Sequence, residues 1–387
     1  MSSTLITNPS RSHGRRDLLA LAAAELLALA GPAAPARGAG PGSAGFGEVA
    51  RLVFVPQARS QRVEVLDADS DQRIGGLSLG LTPHQVEVSA GVARLVAIDG
   101  SSPDLLLLDL VTTTSRRIPL SVAARRLVLS PDGMTAAVAD SEAGSVAFVD
   151  LLFGRESGVV RDLPPLRDII FAGRQPMFVY APAGRHELGL IDAVTTLPAG
   201  PIATPQPVTE LRRAPNGRRL FAHGEGGGPV SVIDLEAERV INDIPAGAGS
   251  LVLPSATGAR LLLLEPQAAR VSVLDADGSG RVALAGAGGL DAAYPAWLDS
   301  VAFVPSATER CLLVYDLDEP RLAGRIALGG LPLRGSVTPD GQKLFLPLGG
   351  TREVLVIDAR RRAVLRRVRL DDEPQAALIA GGYGICH

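Results

Sequence analysis

The sequence predicts an all-β chain, an eight-bladed propeller of four-stranded blades, on the strength of three observations. First, a short apolar strand ending in aspartate recurs: VEVLD ends at Asp67, LLLLD at Asp109, VAFVD at Asp150, LGLID at Asp192, VSVID at Asp234, VSVLD at Asp275, LLVYD at Asp316 and VLVID at Asp358. The intervals are 42, 41, 42, 42, 41, 41 and 42 residues, which marks a repeat architecture. Second, the turns SPDG (130–133), APNG (214–217) and TPDG (338–341) separate the strands within units, the grammar of a β-meander. Third, no comparable run of helical periodicity follows the first thirty-odd residues.

Each unit reads as a short apolar strand, a turn, a second strand of the RRLFAH type, a third of the VSVID type, and a fourth such as RVINDIPAG. A small twisted sheet of that size cannot bury both faces alone, so successive units stack radially against their neighbours. Innermost strands are expected near 84–89, 125–130, 167–172, 208–213, 249–254, 293–302, 333–338 and 374–380. The first unit, starting at EVARLVFVP (48–56), lacks an inner strand. The last unit ends at VLRRVRL (364–370) and leaves EPQAALIAG over, so the surplus C-terminal strand is expected to complete the first blade and close the ring without an exposed edge. Seven blades with one degenerate repeat is the alternative. The eight repeated aspartates are read as structural, since a carboxylate at a strand end accepts backbone N–H groups of the following turn, and an active site would break the symmetry.

Ahead of the repeats, Arg15-Arg16 precede an apolar stretch from Leu18 to Ala30, interrupted by Glu25, and then Ala34-Pro35-Ala36. That is a charged region, an apolar region and a small-residue cleavage site. It resembles a twin-arginine export signal, with Gly14 and Leu18 standing where that signal usually has Ser and Phe. The expectation is a signal over 1–36 cleaved after Ala36, a Gly-rich linker over 37–47, and one propeller domain over 48–387. The mature protein would then be periplasmic or secreted. No stretch approaches about 18 unbroken apolar residues, so no membrane span is expected.

The formal charge is −3; Arg11, Arg15 and Arg16 against Asp17 and Glu25 leave the leader one positive charge and the remainder about −4. Nothing here calls for nucleic acid. The two cysteines make no disulfide framework, and Cys311 and Cys386 are expected at opposite faces of the ring, too far apart to bridge. There is no GxSxG elbow, phosphate-binding loop, HExxH or dinucleotide fingerprint. With aromatics at 4% and Trp297 the one tryptophan, stacking platforms for sugars or bases are not expected.

The unit PNGRRLFAHGEGGGPVSVIDLEAERVINDIPAG (215–247) resembles the repeat of the YVTN or YncE-like β-propellers, within the wider superfamily of the amine dehydrogenase heavy chain and the cytochrome cd1 nitrite reductase propeller. The resemblance covers about residues 48–387. It implies the fold, and many members of that group are binding or scaffold modules without chemistry of their own.

Candidate site residues fall in two places. At the upper mouth of the channel, where inner strands begin, His84, Arg126, Arg167, Asp168 and Arg334 are the ligand-binding candidates, with Glu210, Asp291 and Asp371 to Glu373 nearby. His186 and His223 are read as surface histidines on adjacent blades. The second place is the tail, GGYGICH (381–387). A c-type haem needs CxxCH, and Tyr383 stands where the first cysteine belongs, so haem is not expected. Cys386, His387 and the terminal carboxylate suit copper or zinc but lack a further ligand; the other reading is a strand end with an incidental thiol. The functional expectation is therefore an exported, non-catalytic binding or scaffold module, monomeric by itself, for a small ligand, metal or protein partner. The alternative is a redox or electron-transfer subunit of a quinone- or metal-dependent oxidoreductase system.

Overall fold

Eight antiparallel sheets, one per repeat, form the eight blades. The structure is a computed structural model that describes residues 49–172, 177–224 and 226–381. Blade 1 holds Leu52–Pro56, Arg62–Asp67 and Gln72–Ser78, and its innermost strand is Leu378–Ile379 from the other end of the chain. Val53 pairs with Ile379 and Phe54 with Leu378. Further along the same clasp, the Ala58 N–H donates to the Glu373 carbonyl (2.8 Å) and Gln375 to Pro56 (2.9 Å). The ring thus closes by the predicted surplus strand.

Blades 2 to 6 follow the expected register, with innermost strands Gln85–Ser89, Arg126–Leu129, Leu166–Ala172, Val208–Arg213 and Leu251–Pro254. The third strands explain why runs such as LLLLD are apolar throughout. In blade 2, Leu106 and Leu108 pack toward blade 1, while Leu105 and Leu107 pack toward blade 3. Both faces of each sheet are buried, so alternation of sides does not become alternation of polarity. The core is accordingly a ring of eight apolar clusters, one at each blade interface. The interface of blades 3 and 4 is the aromatic one: Phe148 meets Phe178 edge-on at 5.5 Å and Phe171 meets Phe178 at 5.8 Å.

Two inner strands differ from the sequence expectation. In blade 7 the strand is Tyr294–Ala296 rather than 293–302, because Trp297, Leu298 and Asp299 take left-handed φ values of 45°, 55° and 61° and reverse the chain into the second strand, Val301–Ser306. In blade 8 the expected strand at 333–338 is split into Leu331–Pro332 and Ser336–Val337. Between the pieces the backbone serves its neighbours: the Arg334 carbonyl accepts from Ala377 of blade 1 (2.8 Å), and the Gly335 N–H donates to the Tyr294 hydroxyl of blade 7 (2.8 Å).

The repeated aspartates build turns. Asp67, Asp109, Asp150, Asp192, Asp234 and Asp316 each accept backbone N–H groups from the residues two and three further on, and Asp358 accepts from Arg361. Asp275 is the exception: its carboxylate takes Arg260 (2.8 Å), and in that turn Asp277 accepts from Ser279 instead. Among the described residues, no helix is long and apolar enough to cross a membrane.

Candidate functional site

An inner strand is the channel edge of its blade, so one row of its backbone groups has no ladder partner. The chain supplies partners from one register position. Gln85 accepts from the Leu127 N–H (2.9 Å) and donates to the Leu127 carbonyl (2.6 Å). One repeat on, Arg126 pairs with Asp168 and reaches the Arg167 carbonyl (3.5 Å). Next, Asp168 accepts from the Leu211 N–H (2.6 Å) as well as from its neighbour Ile169 (2.8 Å). Two repeats beyond Glu210 the position is Tyr294, and then Ser336, which donates to the Ala377 carbonyl (2.9 Å). These side chains staple the inner strands of blades 2 to 5 in succession, and those of blades 7, 8 and 1.

Of the five channel-mouth candidates, Arg126 and Asp168 are therefore brought together. Asp168 is 2% exposed, and burial pushes its carboxyl up against the opposing influence of Arg126 and the two backbone donors. Beside it lies a second pair, Glu210 with Arg212. Burial raises the Glu210 carboxyl, Arg212 counters it, and the Asp168 charge adds to the rise. The Arg167 side chain is exposed at this rim. His84 is exposed too, in a shallow depression with Thr82, Asp99, Ser101 and Arg117 between blades 1 and 2, outside the central cavity described below.

His186 is exposed, as read from the sequence, with Nδ1 3.0 Å from the Pro205 carbonyl. His223 is not a surface residue. It lies in the second strand of blade 5, opposite Glu210 in register, and is buried against blade 6. Its Nδ1 lies 3.1 Å from the Ser250 carbonyl and its Nε2 3.5 Å from the Val252 N–H, so the neutral Nδ1–H tautomer satisfies both. Burial, then the Arg212 charge, pushes its pKa down to about 4.

Below this rim the channel opens into a cavity of about 310 Å³. Its polar wall includes Glu87, Arg213, Arg334, Ser89, Ser130 and Ser336. Arg334, the fifth candidate, spans the closing strand: from blade 8 its two guanidinium nitrogens reach the Glu87 carboxylate of blade 2 at 3.0 and 3.3 Å. Arg213 donates to the Phe171 carbonyl (3.2 Å) and has no carboxylate partner among the described residues. Sequence reasoning missed Glu87, Arg213 and Gln85. Comparing the same register position from repeat to repeat is the signal that finds Gln85, since it falls 41 to 42 residues before Arg126 and Leu127.

Cys311 is a buried free thiol whose Sγ lies 3.8 Å from Glu309 Oε2. Cys386 and His387 lie outside the described residues, as does the N-terminal leader. Among the described residues, no group of three or more His, Cys, Asp or Glu side chains is placed to hold a metal ion.

No family model and no curated protein matches the chain. Solved structures do. NirN, a dihydro-haem d1 dehydrogenase in complex with DHE, is 17% identical over 90% of this chain and 78% of its own, with a TM-score of 0.71. Apo AztD from Citrobacter koseri is 14% identical over 87% and 99% with a TM-score of 0.64, and the hydrazine synthase of Kuenenia stuttgartiensis 15% identical over 75% and 96% with a TM-score of 0.53. At these identities the likeness is one of fold, and it sets the chain among the β-propellers.

Proposed function

We propose that this chain is an exported β-propeller of the YVTN or YncE-like kind that acts as a non-catalytic binding or scaffold module in the cell envelope, with its small-ligand seat in the lower half of the central channel. One observation carries the reading. The cavity wall holds two guanidinium groups, Arg334, which is paired with Glu87, and Arg213, which among the described residues meets only a backbone carbonyl, together with the hydroxyls of Ser89, Ser130 and Ser336. A small polar ligand bearing a carboxylate or other anionic group fits that set, because arginine presents paired donors to a planar anion. The repeat resemblance supports a binding role. His84, Arg126, Arg167 and Asp168 would then shape the upper mouth rather than the seat.

The test is calorimetric titration of the full-length exported protein with malonate, succinate and inorganic phosphate, repeated on Arg213→Ala and Arg334→Ala. Saturable binding that Arg213→Ala weakens by about ten-fold supports the seat. Binding indifferent to both substitutions moves the ligand elsewhere. Export is tested separately, by whether Arg15→Lys with Arg16→Lys retains the protein in the cytoplasm.

A second reading rests on the sequence that follows the cavity wall. Gly381 is on the cavity wall, and Cys386 and His387 follow within six residues. A metal, copper or zinc, held by Cys386 and His387 would make the chain a redox or electron-transfer subunit. Elemental analysis of the natively exported protein beside Cys386→Ala separates the two: stoichiometric metal lost in the variant favours the redox reading, and metal-free protein leaves the binding module.

A further inference from the structure

We propose that the lower hairpin tips of blades 2, 3 and 4 form a docking surface for a protein partner whose contact face is apolar and edged with carboxylates. The eightfold repeat supplies its own control. In every blade the third strand ends in the repeated Asp and a tight turn leads into the fourth strand on the lower face. The residue two beyond that Asp is charged in five blades: Asp69 in blade 1, Glu236 in blade 5, Asp277 in blade 6, Asp318 in blade 7 and Arg360 in blade 8. In the three consecutive blades 2, 3 and 4 it is Val111, Leu152 and Val194, and the next residue in blade 3 is Phe153.

The turn itself does not ask for this. The N–H groups of Val111, Leu152 and Val194 donate to their Asp at 2.8, 3.0 and 2.8 Å, as that of Glu236 does at 2.9 Å. Nor does the core, since the side chains are in water: Val111 is 60% exposed, Leu152 48%, Phe153 63%, Val194 77% and Leu197, in the same blade 4 hairpin, 63%. With Met134 beneath blade 3, this arc accounts for six of the twelve large apolar side chains exposed among the described residues. The rest are spread over the other five blades. Clustered exposure of this kind marks an interaction surface, where scattered exposure needs no explanation.

The tips are neighbours in space. Arg116 of blade 2 donates to the Phe153 carbonyl of blade 3 (2.6 Å), and Thr196 of blade 4 packs on Gly158 of blade 3. Charge then chooses the occupant. Arg116 and Arg155 edge the arc, the first held by the Phe153 carbonyl and the second lying 5.7 Å over the Phe153 ring, and neither has a carboxylate partner among the described residues. A second copy of this chain, docked by two-fold symmetry, would set these cations against their own counterparts. A different protein with carboxylates around an apolar patch satisfies both features, and the acidic tips of blades 5 to 7 on the same face would repel it and fix its orientation. The surface is separate from the cavity wall and does not depend on a channel ligand.

The experiment places the photoreactive residue p-benzoylphenylalanine at position 153 or 194, and as controls at 236 or 277, in the full-length chain expressed in its native host. The protein recovered in the adduct is then purified and titrated against the unmodified chain and against Phe153→Asp, Val194→Asp, Arg155→Glu and Asp277→Asn. The expected result is a heterologous adduct from 153 and 194 but not from 236 or 277, and binding that each of the first three substitutions weakens by about ten-fold or more while Asp277→Asn, which removes a repelling charge, does not weaken it. Val194→Asp lies in a different hairpin from Phe153→Asp, so misfolding of one variant, checked by its thermal transition, does not remove the test. Absence of protein adducts at both arc positions, adducts joining two copies of this chain, or affinities that neither arc substitution alters would each overturn the proposal.

Discussion

The ammonium group of Lys343, in the second strand of blade 8, lies 2.7 Å from the Asp71 carboxylate in the hairpin of blade 1. It also donates to the carbonyls of Ala68 (2.8 Å) and Asp69 (2.9 Å), so all three of its hydrogens are used across the seam where the two ends of the chain meet. Lys343 is the one lysine in a chain otherwise supplied with arginine. The geometry explains it: three acceptors converge on a point, which a compact ammonium fills and a planar guanidinium fork does not. In blade 5, Arg219 makes the simpler version of this contact, a single bond to the Ala276 carbonyl of blade 6 (2.5 Å).

Lys343→Ala should therefore lower the unfolding free energy by about 2–3 kcal/mol, because it strands a nearly buried Asp71, while Arg219→Ala should cost about 1 kcal/mol. Lys343→Arg should not restore the wild-type value. Urea unfolding of the three variants measures this, and a Lys343→Arg protein as stable as wild type would show that charge alone closes the seam.

His223 gives the fold a sensitivity to mild acid. Its folded pKa, about 4, lies below the ordinary value of 6.5, so between those limits the unfolded chain takes up a proton that the folded chain refuses. The contribution of His223 to stability is complete above pH 6.5 and is lost as pH falls toward 4, by roughly 3 kcal/mol for a depression of this size. His223→Asn keeps a donor and an acceptor but does not titrate. Between pH 7 and 4.5 the unfolding free energy of wild type should fall more steeply than that of the variant; parallel curves would mean the imidazole is protonated in the fold.

The blade count, the clasp and most inner strands were legible because they depend on local pattern repeated at one period: an apolar third strand, an Asp-led turn, and an interval that varies by a single residue. Blade 7 departed where Trp297, Leu298 and Asp299 adopt left-handed backbone, a choice that no glycine or asparagine announces. Blade 8 departed at Arg334 and Gly335, the first bonding through its carbonyl to blade 1 and the second through its N–H to blade 7, and sequence carries no sign of which neighbour a backbone group will join. The site was less legible for a related reason. Asp168 and Arg126 were recognisable as charged rim residues, but whether a charge faces a ligand or a neighbouring strand depends on the small rotation between blades. His223 was misplaced because a polar residue at a strand end next to a Gly-rich loop reads as exposed, whereas the backbone of blade 6 supplies it with two partners.

Cys311 provides a local reporter for blade 7. Burial raises its thiol above the ordinary range, and the Glu309 charge beside it adds to the rise, so little thiolate is present at neutral pH. In a Cys386→Ser background, alkylation by iodoacetamide at pH 7.5 should be slow in native protein and fast in urea. Glu309→Gln removes one cause of the rise and should speed native labelling modestly without changing the unfolding transition by more than about 0.5 kcal/mol, since the ion pair of Glu309 with Arg325 is exposed. Labelling of Cys311 at the same rate in native and unfolded protein would show that the third strand of blade 7 opens readily.

The contrast between Asp192 and Asp275 tests what the repeated aspartate is for. The Asp192 carboxylate is held below the usual range by the N–H groups of Thr195 and Val194, whereas Asp275 takes no turn N–H and pairs with the half-exposed Arg260. Asp192→Ala leaves two turn donors without their acceptor and should cost about 1 kcal/mol, while Asp275→Ala should cost no more than about 0.5 kcal/mol. The sign of the pH effect follows from the depressed pKa: the Asp192 contribution is present above the unfolded value of 3.8 and disappears as pH falls through the lower folded value. Asp192→Asn keeps the acceptor oxygen without the titration, so its unfolding free energy should decline less than that of wild type between pH 5 and pH 2.5. Equal losses for Asp192→Ala and Asp275→Ala would mean that the aspartate serves the strand end it occupies, not the turn it precedes.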